Sequence, residues 1–260
     1  MGKNSLALKI ALLLAVCAFG LAGISCKKEN TATQPRANMP PEHEEMIQAF
    51  KKSAEVSKKI VVAKINGVVL TMSDLIREMN AVAPQYIKPG EKRDPKIDEK
   101  VRKEALDRLI DRELILQQAK KAGVTVPPET VEDALNKFKA GMKSEDAYRE
   151  YLAQSATTEE ELRDQIRNSF LVAKIAEEKI LPQVKIDPKQ VEKTYAKEKE
   201  AYRGPSGQMS LEEARPLIEQ ELRMSEFHKK EQAWAARLRK DAKIEITLDE
   251  PAKKEIHSLK

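Results

Sequence analysis

The chain has 260 residues, 34% of them charged and only 4% aromatic, with 47 basic and 42 acidic side chains and a net charge of +5. Acids and bases are interleaved throughout, which excludes a basic nucleic-acid stripe and an acidic tail. Both cysteines, Cys17 and Cys26, lie at the N-terminus, so the remainder can build no internal disulfide and must be held by packing alone.

The first element is an apolar leader. Lys3 and Lys9 precede the run 10–24 (IALLLAVCAFGLAGI), and Ser25-Cys26-Lys27-Lys28 ends it. A basic start, an apolar core too short to span a bilayer comfortably and small residues before a polar break describe a secretory signal. With a cysteine at the break, the segment resembles a bacterial lipoprotein leader. That resemblance implies removal of residues 1–25 and lipid attachment at Cys26. Gly23 stands where the lipoprotein pattern prefers leucine, and a plain cleaved signal or an uncleaved anchor are the other readings. Cys17 follows Val16, a poor cleavage residue, and reads as leader filling. Loss of 1–25 removes Lys3 and Lys9 and no acid, taking the net charge from +5 to +3.

Residues 27–41 (KKENTATQPRANMPP) carry three prolines and no apolar periodicity, the composition of a flexible tether. Residues 42–57 read as a weak amphipathic helix through Met46, Phe50 and Ala54 or as more tether, so the anchor and tether are placed at 26–57. The next segment is firmer. Two β-branched runs, 60–65 and 68–70, flank Asn66-Gly67, a pair that tolerates the positive φ of a tight hairpin turn. Thr71 or Ser73 then caps a helix through Met72, Leu75, Ile76, Met79 and Val82. Residues 84–97 read as a loop. From Asp98 to Ala122 the residues Val101, Ala105, Leu109, Leu116 and Ala119 keep helical spacing, and Gly123 stops the helix.

A short pattern then occurs twice, as Val124-Thr-Val126-Pro-Pro128 with Val131 and as Val184-Lys-Ile186-Asp-Pro188 with Val191. Each is an extended run leading into a proline at the first helical turn, and two similar helix starts are favoured over a true duplication. Between them lie a short helix at 144–154 and a long one from Thr158, where Thr158 and Glu161 make a capping box. The helix from Pro188 is expected to run to about Tyr202, and 203–208 (RGPSGQ) breaks it. Ser210 and Glu213 start a last long helix in which Pro216 should kink or open the first turn. Residues 242–248 alternate like a strand, and 251–260 read as a loose tail. The fold class is mainly α with a small β element.

This order of elements resembles the SurA/PrsA family of extracytoplasmic folding factors. The likeness is carried by 61–70 (VVAKINGVVL), 106–116 (LDRLIDRELIL), Gly123-Val124, 162–167 (LRDQIR) and 238–246 (LRKDAKIEI). It covers about 58–248, and the chaperone domain is placed at 58–250, with parts at 58–202 and 210–250. The resemblance implies that the hairpin pairs with the C-terminal strand 243–248. It also implies that a parvulin prolyl isomerase domain, common in the family, would insert near 203–209, where only seven residues stand.

Catalytic chemistry is hard to find. His43, His228 and His257 are scattered. His43 opens a zincin-like start, but Ile47 occupies the place of the second histidine, so no metal site is expected. No Gly-rich phosphate loop supports use of ATP, and no cofactor is expected. Glu159-Glu160-Glu161 and Glu177-Glu178 read as solvated helix faces. The expectation is a lipid-anchored, ATP-independent periplasmic chaperone for unfolded outer-membrane or secreted proteins, with no enzyme activity. A structural lipoprotein gripping one folded partner and a residual prolyl isomerase are the alternatives. Lys27 is not the aspartate that favours inner-membrane retention in enteric bacteria, which leans toward the outer membrane. Adaptable methionines and tyrosines suit weak, reversible grip on unfolded chains. Met72, Met79, Tyr86, Met142, Tyr148 and Tyr151 are the candidates, with core packing as the alternative for each.

Overall fold

The computed structural model describes residues 48 and 52–248, apart from 89, 92, 93, 156, 205 and 206. The leader, Cys26, the tether to residue 47, His43 and the tail from 249 lie outside the described residues. Residues 52–59 are helical, so at its described end the 42–57 segment is helix rather than tether, and Ser57 is buried there.

Strands β1 (Val61–Ile65) and β2 (Val68–Thr71) form the expected hairpin. Asn66 and Gly67 both take positive φ, 51° and 88°, the conformation a two-residue turn with right-handed strand twist requires. Helix α1 (Met72–Val82) follows at once, with Thr71 as the N-cap in a full capping box with Asp74. Helix α2 (Pro95–Lys121) starts three residues earlier than the periodicity suggests. Asp94 caps the amide of Lys96 and Pro95 fills the first turn, where its missing N–H costs nothing.

Helices α3 (Pro128–Ala140) and α6 (Pro188–Glu198) are the two proline-started helices. In both, the valine three residues on, Val131 or Val191, is fully buried. Only α6 has a side-chain cap, from Asp187. Helix α6 ends at Glu198 and a 3₁₀ turn carries the chain to Ala201, short of the expected stop at Tyr202. Between α3 and α6 lie α4 (Glu145–Gln154) and α5 (Glu159–Ile180), capped by Ser144 and by the Thr158–Glu161 box. Helix α7 (Leu211–Lys240) runs unbroken through Pro216. The proline is near enough to the start that the lost backbone bond is a local cost, so the helix opens neither a turn nor a break.

The last strand, β5 (Ile244–Ile246), pairs antiparallel with β1, giving the sheet order β2-β1-β5. The sheet packs on α1 and one side of α2 through Val62, Ile65, Leu70, Leu75 and Ile110. The other side of α2, through Ile115, Leu116 and Ala119, meets Leu171 and Ile175 of α5 and Ala235 of α7. Helix α2 is thus buried from two sides, which explains apolar residues on more than one of its faces. Separate small cores hold α3, α4 and α5 together around Leu135, Tyr148 and Leu162, and α6 against the start of α7 around Val191, Tyr202 and Ile218. No described helix is long and apolar enough to cross a membrane.

Candidate functional site

The six methionines and tyrosines singled out by sequence do not form one crevice. Met72 and Tyr148 are 1% and 2% exposed, which corrects their assignment to a contact surface. Both face inward because they fall on the buried stripe of their helices, Met72 with Leu75 under the sheet and Tyr148 with Leu135 and Leu162. The Tyr148 hydroxyl donates to Glu159 at 3.1 Å, and Lys139 Nζ lies over the ring, 4.7 Å from its centroid. Met79 and Tyr86 are half-buried against the sheet core. Tyr86 donates to Glu104 and lies under Lys100 Nζ at 4.5 Å. Met142 and Tyr151 are half-buried in the α3–α4–α5 core, where Phe138 meets the Tyr151 ring edge-on at 5.2 Å.

A different group converges where the expected insertion point lies. After α6 the chain turns back on itself in two short strands, β3 (Arg203–Gly204) and β4 (Gly207–Gln208), paired antiparallel. Gly207 has φ of 111°, a conformation side chains rarely adopt. The Met209 amide donates to the Tyr202 carbonyl at 3.1 Å, and the Gln208 side chain donates to the carbonyls of Lys199 and Tyr202 at 2.6 and 2.8 Å. The two strands are thus tied to each other and to the end of α6, and α7 begins three residues beyond Gln208.

Beside this turn is a cavity of about 580 Å³ lined by Tyr202, Met209, Leu217 and Met224, with Glu198 and Glu221 among its polar lining. Tyr202 is its fixed wall. It is 5% exposed, stacks on Tyr195 at 6.2 Å, and its hydroxyl donates to Glu221 at 2.9 Å. Burial first, and the Glu221 carboxylate second, push its hydroxyl pKa up to about 12, so it stays a neutral donor. Tyr195 donates to the Met209 carbonyl at 2.6 Å and ties the turn to α6. Leu217, by contrast, is 46% exposed at the mouth, and Met209 and Met224 are half-buried. A fixed aromatic wall with flexible thioethers and an exposed leucine is a surface that adapts to varied apolar side chains.

Read from sequence, 203–209 is a short linker at the expected insertion point, and that reading gives no reason to group its neighbours. The signal was there: Leu217 and Met224 are seven residues apart on one helical face, and Tyr202 and Met209 flank the turn. Among the described residues no group of three His, Cys, Asp or Glu side chains could hold a metal ion.

The SurA-like N-terminal domain family matches residues 1–176 of the chain. The chain belongs to this family. The chaperone SurA of Alkalilimnicola ehrlichii is 25% identical over 173 residues, which cover 62% of this chain and 40% of that relative. The chain therefore matches well under half the length of this curated relative. A solved structure of a SurA-like chaperone from Campylobacter jejuni overlays on 74% of this chain and all of its own, with a TM-score of 0.45 and 15% identity.

Proposed function

We propose that this protein is a periplasmic chaperone that holds unfolded outer-membrane or secreted proteins without ATP and without a prolyl isomerase domain. Family membership supports the chaperone role. The observation that supports the missing isomerase domain is the pairing of β3 with β4, which leaves only the seven residues 203–209 at the expected insertion point. The groove of Tyr202, Met209, Leu217 and Met224 beside that turn is the client surface. The lipid at Cys26 keeps it near a membrane, the outer one by the residue after the cysteine.

The test is aggregation of a chemically unfolded outer-membrane protein on dilution, followed by light scattering. Near-stoichiometric protein should suppress it, and the Leu217→Ser/Met224→Ser variant should need several-fold more protein at unchanged melting temperature. Absence of suppression across several such clients overturns the proposal. In a proline-limited refolding assay the protein should give no acceleration; uncatalysed isomerisation takes about 10–100 s, so any catalysis would be plain. Labelled palmitate should enter the wild type and not Cys26→Ser.

A further inference from the structure

A second cavity lies at the junction of three helices. It has a volume of about 430 Å³ and is lined by Gln118, Lys121 and Ala122 at the end of α2, Ile175 and Lys179 of α5, and Trp234 of α7. It shares no residue with the Tyr202 groove. Ile175 is buried and the Trp234 ring is half-buried, so one wall is apolar and fixed. Lys121, Lys179, the Trp234 indole N–H and the Gln118 amide make no hydrogen bond or ion pair to other side chains within the described residues. No carboxylate lines the cavity.

The negative end of α2 is partly quenched. The Ala122, Gly123 and Val124 amides donate to the carbonyls of Gln118, Lys120 and Ala119 at 2.9 to 3.1 Å. The cavity is therefore a set of unspent donors with two positive charges, set beside an aromatic and aliphatic wall. Its complement is an anion joined directly to an apolar group. An aspartate or glutamate within a chain brings the anion without the apolar group. A terminal residue bears both, its α-carboxylate and its side chain sharing one carbon.

We infer that this junction binds the C-terminal carboxylate of a polypeptide whose last residue is apolar. The carboxylate takes Lys121 and Lys179, and the last side chain rests on Trp234 and Ile175. The site adds recognition of a chain end to the chaperone reading and uses none of the residues on which that reading stands.

Trp234 is the only tryptophan of the chain, so its emission reports occupancy directly. The full chain is titrated with the hexapeptide Gly-Ser-Gly-Ser-Gly-Phe as the free acid, with the same peptide as its C-terminal amide, and with octanoate. The acid should change Trp234 emission saturably, and the amide and octanoate should bind at least tenfold more weakly. Lys121→Gln/Lys179→Gln should weaken the acid at least tenfold with an unchanged circular dichroism spectrum, because both lysines are exposed. An unchanged emission, or equal binding of acid and amide, overturns the inference. Octanoate binding as tightly as the peptide overturns the chain-end assignment.

Discussion

Glu113 is the residue with most at stake in its protonation. It is one of two buried polar side chains in the described part of the chain, on the helix that lies at the centre of the molecule. Burial pushes its carboxyl above the ordinary glutamate range, against the opposing pull of the hydrogen bond from Gln117 at 2.8 Å and the charge of Lys120. A carboxyl that is harder to ionise when folded favours the folded state most when it is protonated. That contribution is fully present below the unfolded value of about 4.3 and is lost as pH rises through the raised folded value. At neutral pH the ionised Glu113 is thus a cost. Glu113→Gln retains an acceptor for Gln117 and removes the charge. It should raise the neutral-pH melting temperature by a few degrees, on the order of 1 kcal/mol, with the gain shrinking in melts run toward pH 4. A gain that is independent of pH would contradict this account.

Asn66 is the second decisive residue. Its backbone N–H donates to the Lys243 carbonyl at 2.9 Å, its side-chain Oδ1 accepts from the Lys243 N–H at 2.8 Å, and its side-chain Nδ2 donates to Gln117 at 2.8 Å. One turn residue therefore joins the hairpin to β5 and to α2. Asn66→Ala loses both side-chain bonds and puts at φ of 51° a residue that tolerates the left-handed region less well than asparagine does. It should cost roughly 2 kcal/mol in urea denaturation.

At the level of elements, the caps were legible and the tertiary partners were not. Thr158 and Ser210 stand where local chemistry alone selects them, a hydroxyl three residues before a glutamate, and both boxes form; between Thr71 and Ser73, which the local pattern leaves open, the cap is Thr71, boxed with Asp74. Thr158→Ala should cost about 1 kcal/mol, seen as a drop of roughly 2–4 °C in melting temperature. Glu161 has a second role that no local pattern shows. It also receives Lys58 at 3.0 Å, from a segment 103 residues away. The same limit applies to the contact surface. Periodicity identifies Met72 and Tyr148 as members of apolar stripes, but a stripe is the side that gets buried, so both lie in the core. The Tyr202 groove has the opposite history. Its members come from the end of one helix, a turn and the outer face of another, and only the β3–β4 ladder brings them together.

In the molecule as a whole, the C-terminal part completes what the N-terminal part begins. Helix α7 supplies Ala235 and Trp234 to the central core, and Arg239 reaches Asp107 and Asp111 on α2, donating also to the Asp107 carbonyl at 2.7 Å. These ion pairs are partly exposed and each is worth little singly. The buried strand and helix contacts carry most of the energy. A chain ended after residue 202 keeps every helix up to α6 yet loses one sheet edge and one wall of the core. It should show helical circular dichroism without a cooperative thermal transition. A sharp transition in that truncated chain would show that the N-terminal part stands alone.

The pairing of β1 with β5 also sets an order of events. Ala63 meets Ile246, a partner 183 residues later. The hairpin therefore waits for 183 further residues before its edge partner arrives. Closing so long a loop is slow as well as late. Until then Val62 and Ile65 lack their finished cover, and the half-made chain displays the same kind of apolar surface that its groove would grip. On the chaperone reading, unfolded copies of this chain would be suitable clients for folded ones, and the yield of folded protein on dilution from denaturant should rise when folded copies are already present.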